Sequence, residues 1–252
     1  MNRHLGNQSF NHFLEFEILN KPIEQAATEL RSGNIISFCS ADVFVVASKN
    51  SKFKEIIQRS VIFCDSKPLE IYLRIKNGSQ HQIRGSDYMR KILTSSEFKS
   101  HEHLFLGGTE EVKTGLTDFI LKFSPQQVAS HLHFIIPPQN VNWELAYKDW
   151  LEIIKSGKFK HVWIGLGNPK QFFIANLLSQ NISSAQYYCV GAAFDFLSGV
   201  KRETPRIFQK LALEWLFRLI QEPGRLWRRY LVGNFSFLKL IITDSRKWKY
   251  DK

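Results

Sequence analysis

A carboxylate directly behind a run of apolar residues is the first place in this sequence where chemistry could reside. Asp65 follows Val61-Ile62-Phe63-Cys64 without a spacer. It therefore stands at the end of a buried strand, where an ionised group is costly unless it is paired or put to use. The other reading is a cap for the helix that begins near Pro68. Asp195 follows the apolar run ending at Val190 in a similar way, within Gly191-Ala192-Ala193-Phe194-Asp195-Phe196, and carries the same alternative. Asp87 comes after Gly85-Ser86 and belongs to a helix start.

Glycine-containing turns form the second set. Gly165-Leu166-Gly167-Asn168-Pro169-Lys170 and Gly107-Gly108-Thr109 each lie between an apolar run and a helical pattern. Such a junction brings backbone N–H groups and the positive end of a helix to the carboxyl edge of a sheet, which suits a phosphate. Asn168 can cap, and Pro169 fits a first helical turn. The first motif lacks the third glycine of a dinucleotide fingerprint, and no acidic residue ends a strand about 20 residues later. A structural turn and a phosphate site therefore stand side by side as readings of both motifs.

Other chemistries are missing from the sequence. It contains no GxxxxGK(S/T), no GxSxG and no Cys/His set at zinc spacing. His101/His103 and His131/His133 each put two imidazoles on one strand face but lack a third ligand. There is no DxD to carry a divalent metal on a diphosphate, so the positive charge for a bound diphosphate would come from Arg, Lys and helix N-termini. Cys39, Cys64 and Cys189 are odd in number and have no CxxC spacing, which reads as free thiols in a reducing compartment.

The elements that must position these residues follow from the apolar pattern. The chain has 252 residues, 44% of them apolar, enough for a sizeable core without disulfides. It shows no run long enough for a membrane-spanning helix and no secretory h-region at its start. Helices are predicted over 22–32, 41–60 with a break near Asn50, 67–75 and 86–93. Short buried strands are predicted over 35–39 and 61–64. Beyond residue 101 a strand–glycine–helix rhythm sets in. Strands at 103–106, 161–164 and 187–190 alternate with helices that end near Phe123 and Ser179. That alternation predicts an α/β fold, a Rossmann-like parallel sheet flanked by helices. We divide the chain into an N-terminal α/β part (1–100), a Rossmann-like part (101–200) and a basic, amphipathic C-terminal appendage (201–252).

Charge is concentrated in that appendage. Residues 201–252 carry 13 Lys and Arg against five Asp and Glu, which is +8 of the chain's +11. A polyanion or an anionic membrane surface is the partner this suggests. Thr204 as N-cap and Pro205 predict a helix start. Ile207, Leu211, Trp215 and Leu219 then form one apolar stripe that is broken at Pro223-Gly224, and a second basic helix follows. The stripe fits either a helix pair packed on its own domain or a surface that touches lipid.

These residues resemble the WecG/TagA/CpsF glycosyltransferases. The resemblance is carried by VWIGLGNPKQ and by VGAAFDFLSGVKRETPRIFQKLALEWLFRLIQEPGRLWRRYLVGN. Weaker similarity runs back through LFLGG, IRGSDYM and VIFCD to ISFCSADVFVVASKN, covering about residues 30–240. It implies an inverting, metal-independent transfer of a sugar from a UDP-sugar to an undecaprenyl-diphosphate-linked acceptor, in bacterial cell-surface polysaccharide synthesis. It implies no cofactor, and a cytoplasmic protein peripheral on the inner face of the membrane. Asp65 matches the family's catalytic Asp, and Arg218, Arg225 and Arg229 match arginines contributed by the appendage. Ser40, Gln82, Asp87, Gly107, Gly108, Gly165, Gly167, Lys170, Gln171, Asp195 and Arg228 complete the implied substrate-binding set.

The chain also departs from the family pattern. Ser37-Phe38-Cys39-Ser40 stands where the family has Thr-x-Asn, and Ser66 replaces the glycine of (A/P)DG. Gln82 replaces the arginine ahead of the GSD motif, with Arg84 two residues on, and Phe172 replaces the glutamate of PKQE. These departures keep a second reading open, a non-catalytic, membrane-associated member that scaffolds polysaccharide assembly. No nucleic-acid motif accompanies the basic tail. The sequence leaves open the donor sugar and whether the chain forms a homo-oligomer.

Overall fold

The computed structural model describes residues 9–29, 33–96, 100–123, 129–138 and 140–250; the side chains of Glu29, Ala129, Arg225, Arg228, Arg229, Tyr230, Lys249 and Tyr250 lie outside that description. An N-terminal hairpin, β1 (Phe10–Phe13) and β2 (Phe16–Leu19), is followed by α1 (Ile23–Glu29) and β3 (Ile35–Cys39). Next come α2 (Ala41–Ala47), α3 (Ser51–Arg59), β4 (Val61–Cys64), α4 (Lys67–Asn77) and α5 (Gly85–Thr94). The strand–helix rhythm continues through β5 (Glu102–Gly107), α6 (Glu110–Phe123), β6 (Leu132–Ile135), α7 (Trp143–Ser156), β7 (Phe159–Gly165), α8 (Lys170–Asn181), β8 (Gln186–Cys189) and α9 (Ala193–Leu197).

The strands form one sheet in the order β1-β2-β4-β3-β8-β7-β5-β6, antiparallel only between β1 and β2. Strands from both halves of the chain therefore meet at the β3–β8 pair. β3, β4 and β8 are buried along their whole length. Their side chains alternate between two cores, as a parallel strand covered on both faces must do. Ile35, Ile62 and Cys64 join Phe44, Phe53, Leu69 and Ile174 on one side. Ile36, Phe38 and Phe63 join Tyr88, Met89, Leu116 and Phe194 on the other.

Local signals set the helix starts near the carboxyl edge. Asn50 accepts from the Phe53 N–H at 2.9 Å, so the predicted break falls between α2 and α3. Ser66, not Asp65, caps α4 and accepts from the Leu69 N–H, with Pro68 in the first turn. The capping alternative for Asp65 is thereby removed.

The appendage differs from expectation. A single helix running from Thr204 to Pro223 is replaced by α10 (Arg206–Lys210) and α11 (Glu214–Gln221), followed by α12 (Pro223–Tyr250). The break is a Schellman motif: Ala212 takes φ 60°, the Leu213 N–H bonds the Phe208 carbonyl and the Ala212 N–H bonds that of Gln209. Pro205 rather than Thr204 occupies the N-cap of α10, and the backbone carbonyl of Thr204, the residue before it, accepts from the Gln209 side chain. Ile207 and Leu211 are exposed as a result, so the four-residue stripe does not pack as one face.

α12 lies on α2 and α11, with Leu226 and Phe237 buried and Leu240 and Ile241 packed against the first core. Each such buried side chain contributes about 1.5–3 kcal/mol. Its far end is fastened by Asp244, which is buried and accepts from the Leu14 N–H (2.7 Å), the Tyr72 hydroxyl (2.6 Å) and Lys76 Nζ (2.7 Å). Among the described residues, no helix is long and apolar enough to cross a membrane.

Candidate active site

A cleft of about 310 Å³ opens over the carboxyl ends of four neighbouring strands, β4, β3, β8 and β7. This is where an open α/β sheet reverses its winding and where such sheets bind ligands. Ser40, Asp65, Gly165, Gly167, Gln171 and Asp195 line it from the sheet side, and Arg218, Gln221, Glu222 and Leu226 line it from the appendage. A smaller cavity of about 100 Å³ adjoins it, walled by Asp42, Lys67, Pro68, Ala212, Glu214, Trp215 and Asn234. Ser40, Asp65 and Arg218 line both.

Asp65 is held through its backbone. Its N–H donates to the Cys39 carbonyl (3.2 Å), and its carbonyl accepts from Gln82 Nε2 (2.9 Å). Gln82 itself pairs with Cys64 as a one-residue extension of the sheet and does not line the cleft. No hydrogen bond reaches the Asp65 carboxylate from the described residues, which leaves its oxygens to a ligand. Burial pushes its pKa up to about 7, and the Glu214 carboxylate pushes the same way. Arg218 and Arg84 pull it down, and Asp87 adds a smaller upward push. A carboxylate poised near neutrality is suited to accept and return a proton.

Arg218 is fixed from two sides. Its Nη2 meets Glu214 Oε1 at 2.6 Å one helical turn back, and its guanidinium lies 5.0 Å from the centre of the Phe196 ring. Arg225, Arg228 and Arg229 fall in the first two turns of α12, beside the cleft-lining Leu226, with side chains outside the described set.

The glycine motifs divide. Gly165 and Gly167 line the cleft, and Gly167 has φ 79°. A Cβ on Gly165 would stand 2.6 Å from the Phe194 ring. Gly107 and Gly108 lie outside the cleft lining. A Cβ on Gly107 would meet the Gly165 carbonyl at 2.8 Å and one on Gly108 would meet Val112 at 2.9 Å. Packing leaves no room for a side chain at either position, at Gly107 because of the neighbouring strand end and at Gly108 because of α6. Asn168 does not cap α8; Pro169 holds that position and Asn168 Nδ2 donates to Asp42 at 2.8 Å, tying the loop to α2. Lys170 begins α8 without lining the cleft. Gln171 does line it, donating to the Cys189 carbonyl at 3.3 Å, with its buried Oε1 unpartnered among the described residues.

The remaining predicted residues act as struts. Asp195 pairs with Lys201 (2.8 Å), which also reaches Glu222 (3.1 Å), so α9 is bound to the junction of α11 and α12. Asp87 sits in the first turn of α5 and binds Arg84 through both oxygens (2.7 and 2.8 Å). Arg84, Lys201 and Glu222 line the cleft and were missed as site residues. The only sequence signal was the position of Arg84 beside the GSD motif.

The histidines lie at the other end of the strands. His101 Nδ1 is 2.9 Å from His161 Nε2, whose ring contacts the Tyr188 hydroxyl at 2.9 Å, and Trp163 donates to His103 at 3.1 Å. Burial lowers the His161 pKa to about 2, which keeps the ring neutral. His133 bonds Glu102 at 2.7 Å. Among the described residues, no group of three or more His, Cys, Asp or Glu is arranged to hold a metal.

A cleft at the winding reversal, a carboxylate free to exchange a proton and a basic helical cover agree with a comparison against family models: the glycosyl transferase WecG/TagA/CpsF family matches residues 7–251. The chain belongs to this family. Among curated WecG/TagA/CpsF-like relatives, an N-acetylglucosaminyldiphosphoundecaprenol N-acetyl-beta-D-mannosaminyltransferase of Staphylococcus aureus (strain MW2) is 24% identical over 228 residues, 90% of this chain and 86% of its own length. The proteins of the same description from strains NCTC 8325 / PS 47 and COL match with the same identity and coverage.

Proposed function

We propose that the protein transfers a sugar from a UDP-sugar to a sugar already linked to a polyprenyl diphosphate, with inversion at the anomeric carbon. The observation that carries this reading is the position of Asp65 and Arg218 in the wall common to the two cavities. The larger cleft takes the nucleotide sugar and the smaller cavity admits the acceptor hydroxyl. Asp65 removes the proton from that hydroxyl as its oxygen attacks the anomeric carbon. The bond from that carbon to the diphosphate oxygen breaks, and UDP departs with the electron pair on the opposite face of the sugar. Arg218 and the N-terminal end of α8, behind the Gly165–Gly167 loop, offset the charge that develops on the departing diphosphate.

The relatives' names support the acceptor class, since each describes transfer to a sugar on diphosphoundecaprenol. The outer face of α12 supports a bilayer as the place of reaction. Trp227, Leu231, Phe235, Leu238 and Ile242 recur along it at helical spacing and are exposed, with Phe235 at 70%. Exposed Lys239, Arg246 and Lys247 lie on the same helix. An apolar face on a helix that also carries cations suits an anionic lipid surface.

The test is UDP release from a panel of UDP-sugars in the presence of a short-chain polyprenyl-diphosphate-sugar. Asp65→Asn is expected to lower turnover by at least about 100-fold while UDP binding and the melting temperature hold. Undiminished turnover by that variant removes Asp65 from the mechanism. A wild-type protein that binds no UDP at millimolar concentration in calorimetry removes the transferase and leaves the scaffold.

A further inference from the structure

We propose that Arg84 is a binding residue for the substrate diphosphate, presented by the α/β core itself rather than by the appendage. Arg84 directly precedes α5 and lines the larger cleft beside Gly85 and Ser86. Its guanidinium is clamped along one edge: Nε donates to Asp87 Oδ2 at 2.7 Å and Nη2 to Asp87 Oδ1 at 2.8 Å, with Glu203 Oε1 at 3.4 Å from Nη2. No described residue accepts from Nη1, which leaves one corner of the fork for the cleft.

The two clamping carboxylates are shared with a second cation. Arg90 reaches Asp87 at 3.4 Å and Glu203 at 2.8 Å, and Ser86 Oγ donates to Glu203 at 3.0 Å. Arg84 is therefore fixed in orientation, with its positive charge matched by carboxylates that it shares with Arg90. That charge is felt in the cleft, where it draws the Asp65 carboxyl toward its ionised form. A pre-oriented guanidinium with free N–H donors matches phosphate oxygens and loses little rotamer freedom on binding. The other cations that line the cleft are engaged differently. Lys201 is held between Asp195 and Glu222, and Arg218 belongs to α11. Gln82, which the sequence comparison singled out, has its amide turned to the Asp65 carbonyl.

This assignment deepens the proposed transferase and rests on it for the identity of the substrate. The experiment is calorimetric titration of the full-length wild type, Arg84→Gln and Arg84→Lys with UDP, uridine and inorganic diphosphate, beside steady-state kinetics in donor and acceptor. Arg84→Gln is expected to weaken UDP and inorganic diphosphate by about ten- to a hundredfold, to leave uridine unchanged and to raise KM for the donor. Arg84→Lys is expected to recover part of the loss, and it carries the test if the Gln variant does not fold. A raised acceptor KM with unchanged UDP affinity supports the diphosphate role and moves it to the acceptor. Wild-type affinity for UDP and inorganic diphosphate together with wild-type KM for donor and acceptor in a folded Gln variant overturns the proposal, as does equal weakening of UDP and uridine. If the wild type turns over no UDP-sugar yet binds inorganic diphosphate through Arg84, the transferase reading falls and the anion site stands.

Discussion

The floor of the cleft and its cover are built on different physical terms. The floor is the ends of four parallel strands, buried on both faces and locked in register, with Asp65 fixed by backbone bonds to Cys39 and Gln82. The cover is three helices, of which α10 and α11 bury no residue fully, and α12 is held by Leu226, Phe237 and Asp244. In the proposed reaction, proton transfer falls to the buried part, and much of the charge that a diphosphate needs to the more exposed one. The difference teaches that precision is required where bonds change, whereas the cover must meet a ligand that arrives from outside.

Variants can break that comparison. The largest effect expected on the cover side is from Arg218→Ala, which should lower kcat by about 100-fold or more without altering the melting temperature; a change in KM alone would reduce the cover to a binding surface. Asp244→Ala removes the acceptor of the Tyr72 hydroxyl and the Leu14 N–H and leaves Lys76 on the His12 carbonyl, and should cost roughly 3 kcal/mol, read as a fall in melting temperature of several degrees. An unchanged melting curve would mean that the cover is held by its apolar contacts alone.

The pH dependence sharpens the comparison, because a floor group is tuned by cover groups. The acidic limb of kcat/KM is expected near pH 7, where Asp65 ionises. Glu214 raises that pKa, so Glu214→Gln should move the limb to lower pH. Arg218 lowers it, so residual activity in Arg218→Ala should show the limb at higher pH. Shifts in the same direction from both variants would detach the limb from Asp65. The smallest effect on folding is expected at the outer face of α12, where Phe235→Glu should change stability by less than about 0.5 kcal/mol while reducing flotation with anionic liposomes. Undiminished flotation would direct the search for a lipid contact elsewhere.

The sequence disclosed the floor better than the cover. Ile35–Cys39 and Val61–Cys64 were legible as strands because burial on both faces leaves a continuous apolar run, and Asp65 stood out against it. The hairpin Phe10–Leu19 was not, since strands of four residues at a sheet edge carry little pattern. The break at Ala212 left no trace either, because alanine is the strongest helix former and gives no sign of a positive-φ turn. Gly107-Gly108 and Gly165-Leu166-Gly167 look alike as text. Only the pairing of β5 with β7 decides that the first is packed beneath the second. Arg84 could be assigned to the cleft only after the fold brought the start of α5 to the same edge as Asp65.

The node at Asp244 has a consequence for biosynthesis. One carboxylate joins the last turns of the chain to its opening hairpin and to α4. During synthesis the hairpin can pair and the sheet can grow, but the buckle stays undone until Asp244 itself has emerged from the ribosome. A product cut short before Asp244 would carry the Asp65 carboxylate beneath an unfastened roof.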